Sequence, residues 1–413
     1  MTLSRRQLLT AGAAGAGALV VGGAGFGVGQ RTADASPVTT GSEPFYGVHQ
    51  AGIATAQQDR LLFAAFDVTT SKRSDLEALL RTWSAAAARM TAGRSVTQHE
   101  SAAEAPPNDT GEANGLDPAH LTITFGFGPG LFSVDGVDRF GLAAAQPAAL
   151  APLPAFAGDD LAPSASGGEL CVQACSNDPQ VAYHAVRNLT RLARGNAVLR
   201  WTQQGFGRTA STTPDQVTPR NLLGFKDGTN NLRAGEPGFD DNVWVAAADG
   251  PAWMVDGSYL VVRRIRMHIE VWDRSSLADQ EATIGRTKPE GAPLGRAHEH
   301  DPIDLTSTDA KGEPTTATDA HVRLANQQAT GIHILRRGYS FADGIDPQTG
   351  QLDAGLFFLA YQRDPRRQFV PLQQKLAGID ALNEYIQHVG SAVFAIPPGA
   401  RDDSEFVGER IFG

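Results

Sequence analysis

The stretch GFKDGTNN, Gly224–Asn231, sets a single acid, Asp227, between two glycines directly after PRNLL, Pro219–Leu223. An Asp-Gly pair among turn formers signals a tight turn. A turn can also hold a carboxylate against a cavity, where it takes up and returns a proton. Further along, His321 stands in DAHVRLANQQ, Asp319–Gln328, between a long polar loop and an apolar run ending in Leu335-Arg336-Arg337-Gly338-Tyr339. His321 has no HxxH or HExxH partner, so a tetrahedral zinc site is poorly supported. One axial imidazole is what an iron porphyrin needs, because the macrocycle supplies the other four nitrogens. An arginine stays cationic at any working pH and can stabilise negative charge on an oxygen whose bond is breaking.

Other reactive residues have plainer readings. His184 and His388 fall in or near helices, and His268 and His333 in strands, where a packed imidazole is the default. His298 and His300 in AHEHD could hold a divalent cation with Glu299 and Asp301, but a short acidic loop tract is more often solvated. Cys171 and Cys175 are the only cysteines. In a strand they lie on one face with Cα atoms about 13 Å apart, too far for a disulfide. Two cysteines also exclude a Cys-ligated iron–sulfur cluster within one chain.

These groups sit in a chain of 413 residues with 41% hydrophobic and 19% charged content, which suffices for two ordinary domains. The net charge is −10 and no Lys/Arg-rich run follows the N-terminus, which argues against nucleic acid as a partner. Residues 1–35 read as a signal peptide. Arg5 and Arg6 precede the Gly/Ala-rich run Ala11–Gly29, and Ala33-Asp34-Ala35 offers a cleavage site. The paired arginines resemble a twin-arginine export signal, which implies the translocase as a transient partner and a periplasmic, extracellular or cell-surface destination. A retained membrane anchor is the competing reading, disfavoured by the glycine content of the run. Proteins exported already folded commonly carry a cofactor.

Strands and helices alternate. RLLFAAFDV is a strand, SDLEALLRTWSAAAARM a helix and LTITFGFGPGLF a strand; GELCVQACS, DPQVAYHAVRNLTRLA and AVLRWTQQGF repeat the pattern. In the C-terminal half Gly257–Trp272 reads as one long strand and Ser275–Gly285 as a helix. Residues 286–320 form a long polar loop, Gly331–Phe341 and Gly355–Asp364 are strands, and Pro371–Ala377 is helical. Asn383–Phe394 closes the half. The expectation is an α+β fold of two ferredoxin-like halves, of the dimeric α+β barrel type, with antiparallel sheets and peripheral helices. The N-terminal domain spans 44–215 and the C-terminal domain 216–413.

PRNLLGFKDGTNN, HIEVWDR, HVRLANQQ and ILRRGYSF, in this order, resemble the dye-decolorising (DyP-type) haem peroxidases. The likeness is closest to their exported branch, which includes a deferrochelatase/peroxidase of a bacterial iron-uptake system. The family's GxxDG pattern is met at Gly224–Gly228, and the likeness covers roughly residues 45–410. It implies haem b (iron protoporphyrin IX) as cofactor, His321 as iron ligand, Asp227 as distal acid–base and Arg336 as distal arginine. Haem contacts are implied for Gly228, Thr229, Asn230, Asn326, Gln327 and Gln328, as well as Arg336. The Asn326–Gln328 segment departs from the family's usual Asn-Pro. Arg337 competes with Arg336, since only one of two adjacent strand residues can face the haem. The glycines beside Asp227 are expected to let the backbone approach the porphyrin.

The implied activity is reduction of hydrogen peroxide with oxidation of dyes, phenols or other aromatic donors through a ferryl intermediate. Trp272, Tyr339 and Tyr361 are candidates for an aromatic relay to the surface, although a packed core aromatic is the default reading for each. Two alternatives are iron release from haem with the porphyrin intact, and haem binding without catalysis. A homo-oligomer and iron-uptake partner proteins are also compatible with the resemblance.

Overall fold

A computed structural model describes residues 41–98 and 101–413. The signal-peptide expectation for residues 1–35 lies outside the described residues. The N-terminal half contains β1 (Arg60–Val68), α1 (Arg73–Thr91), β2 (Thr122–Phe127), β3 (Leu170–Ser176), α2 (Pro179–Leu192) and β4 (Ala197–Arg208). The C-terminal half contains α3 (Phe239–Val243), β5 (Ser258–Met267), α4 (Ile269–Trp272), α5 (Leu277–Ile284), α6 (His321–Leu324), α7 (Gln327–Thr330), β6 (Leu335–Arg336), β7 (Tyr339–Ile345), β8 (Leu352–Gln362), α8 (Phe369–Ile379) and β9 (Ile386–Ile396).

All the strand pairings between these elements are antiparallel. The N-terminal strands run β2-β3-β1-β4 and the C-terminal ones β9-β5-β8 with β6 and β7 at the edge. This is the ferredoxin-like order in both halves. Leu335↔Tyr361, Arg336↔Ala360 and Tyr339↔Phe357 share one register, so β6 and β7 are one strand interrupted at Arg337-Gly338. Seams between β2 and β9 and between β4 and β7 join the halves, and the β5–β8 pairing completes a closed ring.

Strand alternation then divides the residues between two faces. Leu61, Phe63 and Ala65 of β1, Cys171 and Cys175 of β3, and Phe357, Leu359 and Tyr361 of β8 share the core inside the ring. Both cysteines are unpaired and buried, in keeping with their spacing. The outer face of β1–β3 takes Leu76, Leu79, Leu80 and Trp83 of α1, which recur at helical spacing. Trp83 Nε1 donates to the Leu189 carbonyl at 2.9 Å and ties α1 to α2.

One predicted strand is shorter than expected. β5 stops at Met267, because the His268 carbonyl accepts from the Val271 and Trp272 amides at 3.1 and 2.9 Å and the chain turns into α4. Trp272 is thereby swung under the turn, with Nε1 donating to Leu223 O at 3.0 Å. Local sequence cannot reveal this, since Ile-Glu-Val-Trp alternates as a strand would. In contrast, α5 is well marked: Ser276 caps it by accepting from the Asp279 amide, and Gly285 ends it at φ +86°.

Phe63 bridges the two halves, with its ring 5.2 Å from Trp201, 5.5 Å from Phe357 and 6.0 Å from Phe394. Phe63→Ala should destabilise the fold by about 3–5 kcal/mol, read as a lower denaturant midpoint with an unchanged slope.

Candidate active site

The outer face of β5, β8 and β9 forms one wall of a cavity of about 230 Å³. Ile265, Met267, Leu356, Phe358 and Ile386 supply its apolar floor, and Leu372 and Leu376 of α8 cover it. Asp227, Gly228, Thr229, Asn230, His321, Asn326, Gln327 and Arg336 all line this cavity. Gln328 is exposed and does not line it.

His321 is the first residue of α6, at the end of the long loop. Its Nδ1 lies 2.6 Å from Asp380 Oδ2, and Asp380, 6% exposed, sits just past the end of α8. The other Asp380 oxygen accepts from the Leu382 amide at 2.9 Å, so the carboxylate is fixed by the backbone. A ring pinned through Nδ1 keeps Nε2 as the free ligand nitrogen. No sequence motif marks Asp380, which lies 59 positions from its partner. Burial pulls the His321 pKa down, but the charge and hydrogen bond of Asp380 outweigh it and the net shift is upward. Asp227 adds to that shift and Arg336 opposes it, so both charges are felt at the imidazole.

Arg336 and Arg337 part company as alternation demands. Arg336 faces outward and its Nη1 lies 2.5 Å from Asp227 Oδ1. Arg337 turns into the ring interior, fully buried, and donates to Thr55 O and Gln58 Oε1 at 2.5 Å each. Three further contacts hold the acid: the Asp227 amide donates to Pro219 O at 2.9 Å, Asn221 Nδ2 donates to Asp227 Oδ2 at 3.2 Å, and Asn231 binds the Arg336 backbone. The Asn231 bonds run both ways at 2.8 Å, clamping the turn to β6. Asn231 is the last residue of the motif; its role in the clamp was not legible from the motif alone.

The glycines serve the chain's own packing. Gly228 has φ +94°, and a Cβ there would lie 2.8 Å from the Ala210 backbone. Gly224 has φ +83°, and its Cβ would meet Lys288 Cε at 2.8 Å. They let the turn fit between neighbouring segments, and Gly228 also lines the cavity.

The long loop is also part of the site. Glu299 receives Lys226 Nζ at 2.6 Å and Thr229 Oγ1 at 2.9 Å, and Arg286 Nη1 donates to the Glu299 carbonyl at 2.9 Å. Burial raises the Glu299 pKa, but hydrogen bonds from Lys226, Thr218 and Thr229 take it below its ordinary value. The Glu299 carboxylate, which could have joined His298 and His300 around a cation, is thus engaged by Lys226 and Thr229, and no metal-holding group occurs among the described residues. Trp272, Tyr339 and Tyr361 are all buried, the tyrosines inside the ring, so none of the three reaches the surface.

Residues 50–207 match the Dyp-type peroxidase N-terminal domain and residues 218–401 its C-terminal domain. The chain belongs to the Dyp-type peroxidase family and is a peroxidase of that family. It is 38% identical to a deferrochelatase of Escherichia coli O157:H7, across 99% of this chain and 96% of the relative. The oxyferrous complex of DtpA from Streptomyces lividans has a TM-score of 0.82 at 41% identity, covering 91% of this chain and 99% of that one. A DyP-type peroxidase from Cellulomonas bogoriensis has a TM-score of 0.79 at 40% identity, with 91% and 99% covered.

A folded His321 pKa above its ordinary 6.5 means that the pair with Asp380 stabilises the fold fully below that value. The contribution fades as pH rises through the raised one. Asp380→Asn should therefore lower the imidazole titration midpoint in ligand-free protein, followed by NMR of the ring. A midpoint that stays put would mean that Asp380 does not control His321.

Proposed function

We propose that the cavity holds haem b and that the protein reduces hydrogen peroxide at the expense of aromatic donors such as dyes or phenols. The carrying observation is that a carboxylate-pinned imidazole and an Asp–Arg pair line one otherwise apolar cavity. The donor set fits the group. Nε2 of His321 can ligate iron, the Ile, Leu, Met and Phe walls suit a porphyrin face, and Thr229, Asn230, Asn326 and Gln327 border it. When bound, haem supplies an iron that coordinates peroxide and holds the oxidising equivalents.

The chain's own part is proton and charge management. Asp227 takes the proton from one peroxide oxygen and returns it to the departing one. Asn221 and Arg336 keep that carboxylate in a single orientation. The Arg336 guanidinium stabilises the negative charge that develops as the O–O bond breaks. Asp380 holds His321 in the tautomer that presents Nε2 to the metal.

A second reading is release of iron from haem with the porphyrin intact. It is favoured by the name of the relative from Escherichia coli O157:H7 and the 38% identity to it. Iron-free protoporphyrin accumulating after haem is supplied would support it. The paired arginines Arg5 and Arg6 support export by the twin-arginine route to the periplasm or cell surface.

Asp227→Ala should retain the haem spectrum while the peroxide-induced spectral change slows about a hundredfold or more, measured by stopped flow. His321→Ala should lose or misligate haem. An unaltered Soret band in that variant would refute the ligand assignment.

A further inference from the structure

The β5–β9–α8 wall of the cavity carries polar side chains that the proposed chemistry does not use. Arg263 of β5, Gln373 of α8 and His388 of β9 all line the cavity and are only 1%, 7% and 8% exposed. Arg263 is ion-paired to Asp159 through Nη2, and its Nη1 donates to Ser391 Oγ at 3.0 Å. Its Nε–H has no acceptor. The Gln373 amide and the His388 ring have no hydrogen-bond partner among the described residues.

The three groups belong to one neighbourhood. Arg263 lies 5.3 Å from the Phe156 ring centroid, Phe156 is 6.0 Å from Phe369, and Gln373 follows Phe369 by one turn of α8. Burial and then the Arg263 charge push the His388 pKa down to about 3, so its ring is neutral and offers one N–H. Buried donors are rarely left without acceptors. A carboxylate can accept several hydrogen bonds at once, and Asp159 is already committed to Arg263.

We propose that Arg263, Gln373 and His388 form a subsite for a carboxylate of the molecule that occupies the cavity. This rests on the reading of the cavity as a haem site. The carboxylate is either a propionate of the porphyrin or that of a free aromatic acid, and both present the same pair of acceptor oxygens. Since Asp159 neutralises Arg263, recognition works through hydrogen-bond donors more than through net charge.

The probes are haem, haem dimethyl ester and benzoate, each titrated into ligand-free full-length protein and into His388→Leu and Gln373→Leu. A porphyrin propionate in the subsite means that each variant binds haem about tenfold more weakly and binds the ester as the unaltered protein does. A free acid there means equal haem binding by all three proteins, with saturable benzoate binding that both variants lose. Haem and benzoate affinities unchanged in both variants would overturn the subsite. Failure of the unaltered protein to take up haem would instead sink the cofactor reading, and the benzoate titration would still decide the subsite.

Discussion

The site depends on the two-residue alternation of a strand in a closed sheet. Consecutive arginines on the β6–β7 strand cannot face the same way. Closing the ring makes the two directions chemically opposite: one leads to the cavity, the other to a sealed interior. Arg336 goes out to meet Asp227, and Arg337 goes in. There Arg337 binds neutral oxygens, those of Thr55, Gln58 and more distantly Thr212 and Ile53. A one-residue slip would exchange them, leaving Asp227 without its guanidinium. The Arg337 bonds to the loop around Thr55 therefore lock the register that serves Arg336.

The charges around the cavity are also mutually dependent. Glu299 offsets Lys226, Asp227 offsets Arg336 and Asp380 offsets His321. Arg286 is the exception: burial, and secondarily Arg336, lowers its pKa, and Glu299 only partly compensates.

Much of this arrangement was readable from sequence, for identifiable reasons. The helix of Arg73–Thr91 and the strands of the N-terminal half carry strong apolar periodicity, and their order settles the α+β class. Asp227, His321 and Arg336 stand in compact motifs whose residue types limit their chemistry. Asp380 and Arg263 were not legible, because each acquires its role from a partner far along the chain that only folding brings near. The same holds for α4, where tertiary packing of Trp272 overrides a strand-like alternation. Residues 286–320 read only as a long polar loop because their contacts, such as those of Arg286, Glu299 and Ile303, are made singly and leave no period to detect.

That loop shows how the fold divides its labour. A closed sheet has no free edge and resists deformation, so it suits residues whose direction must not vary, such as Arg336, Ile265 and Leu356. Loops and helix ends tolerate sequence change and here carry Asp227, Glu299, His321 and Asp380. They are returned to the rigid part partly through one another: Asp227 bonds Arg336 of β6, His321 bonds Asp380 at the end of α8, and Glu299 bonds Lys226 and Thr229 of the turn that carries Asp227. The precision of the site therefore comes from side-chain tethers that tie irregular segments to the outer face of the ring.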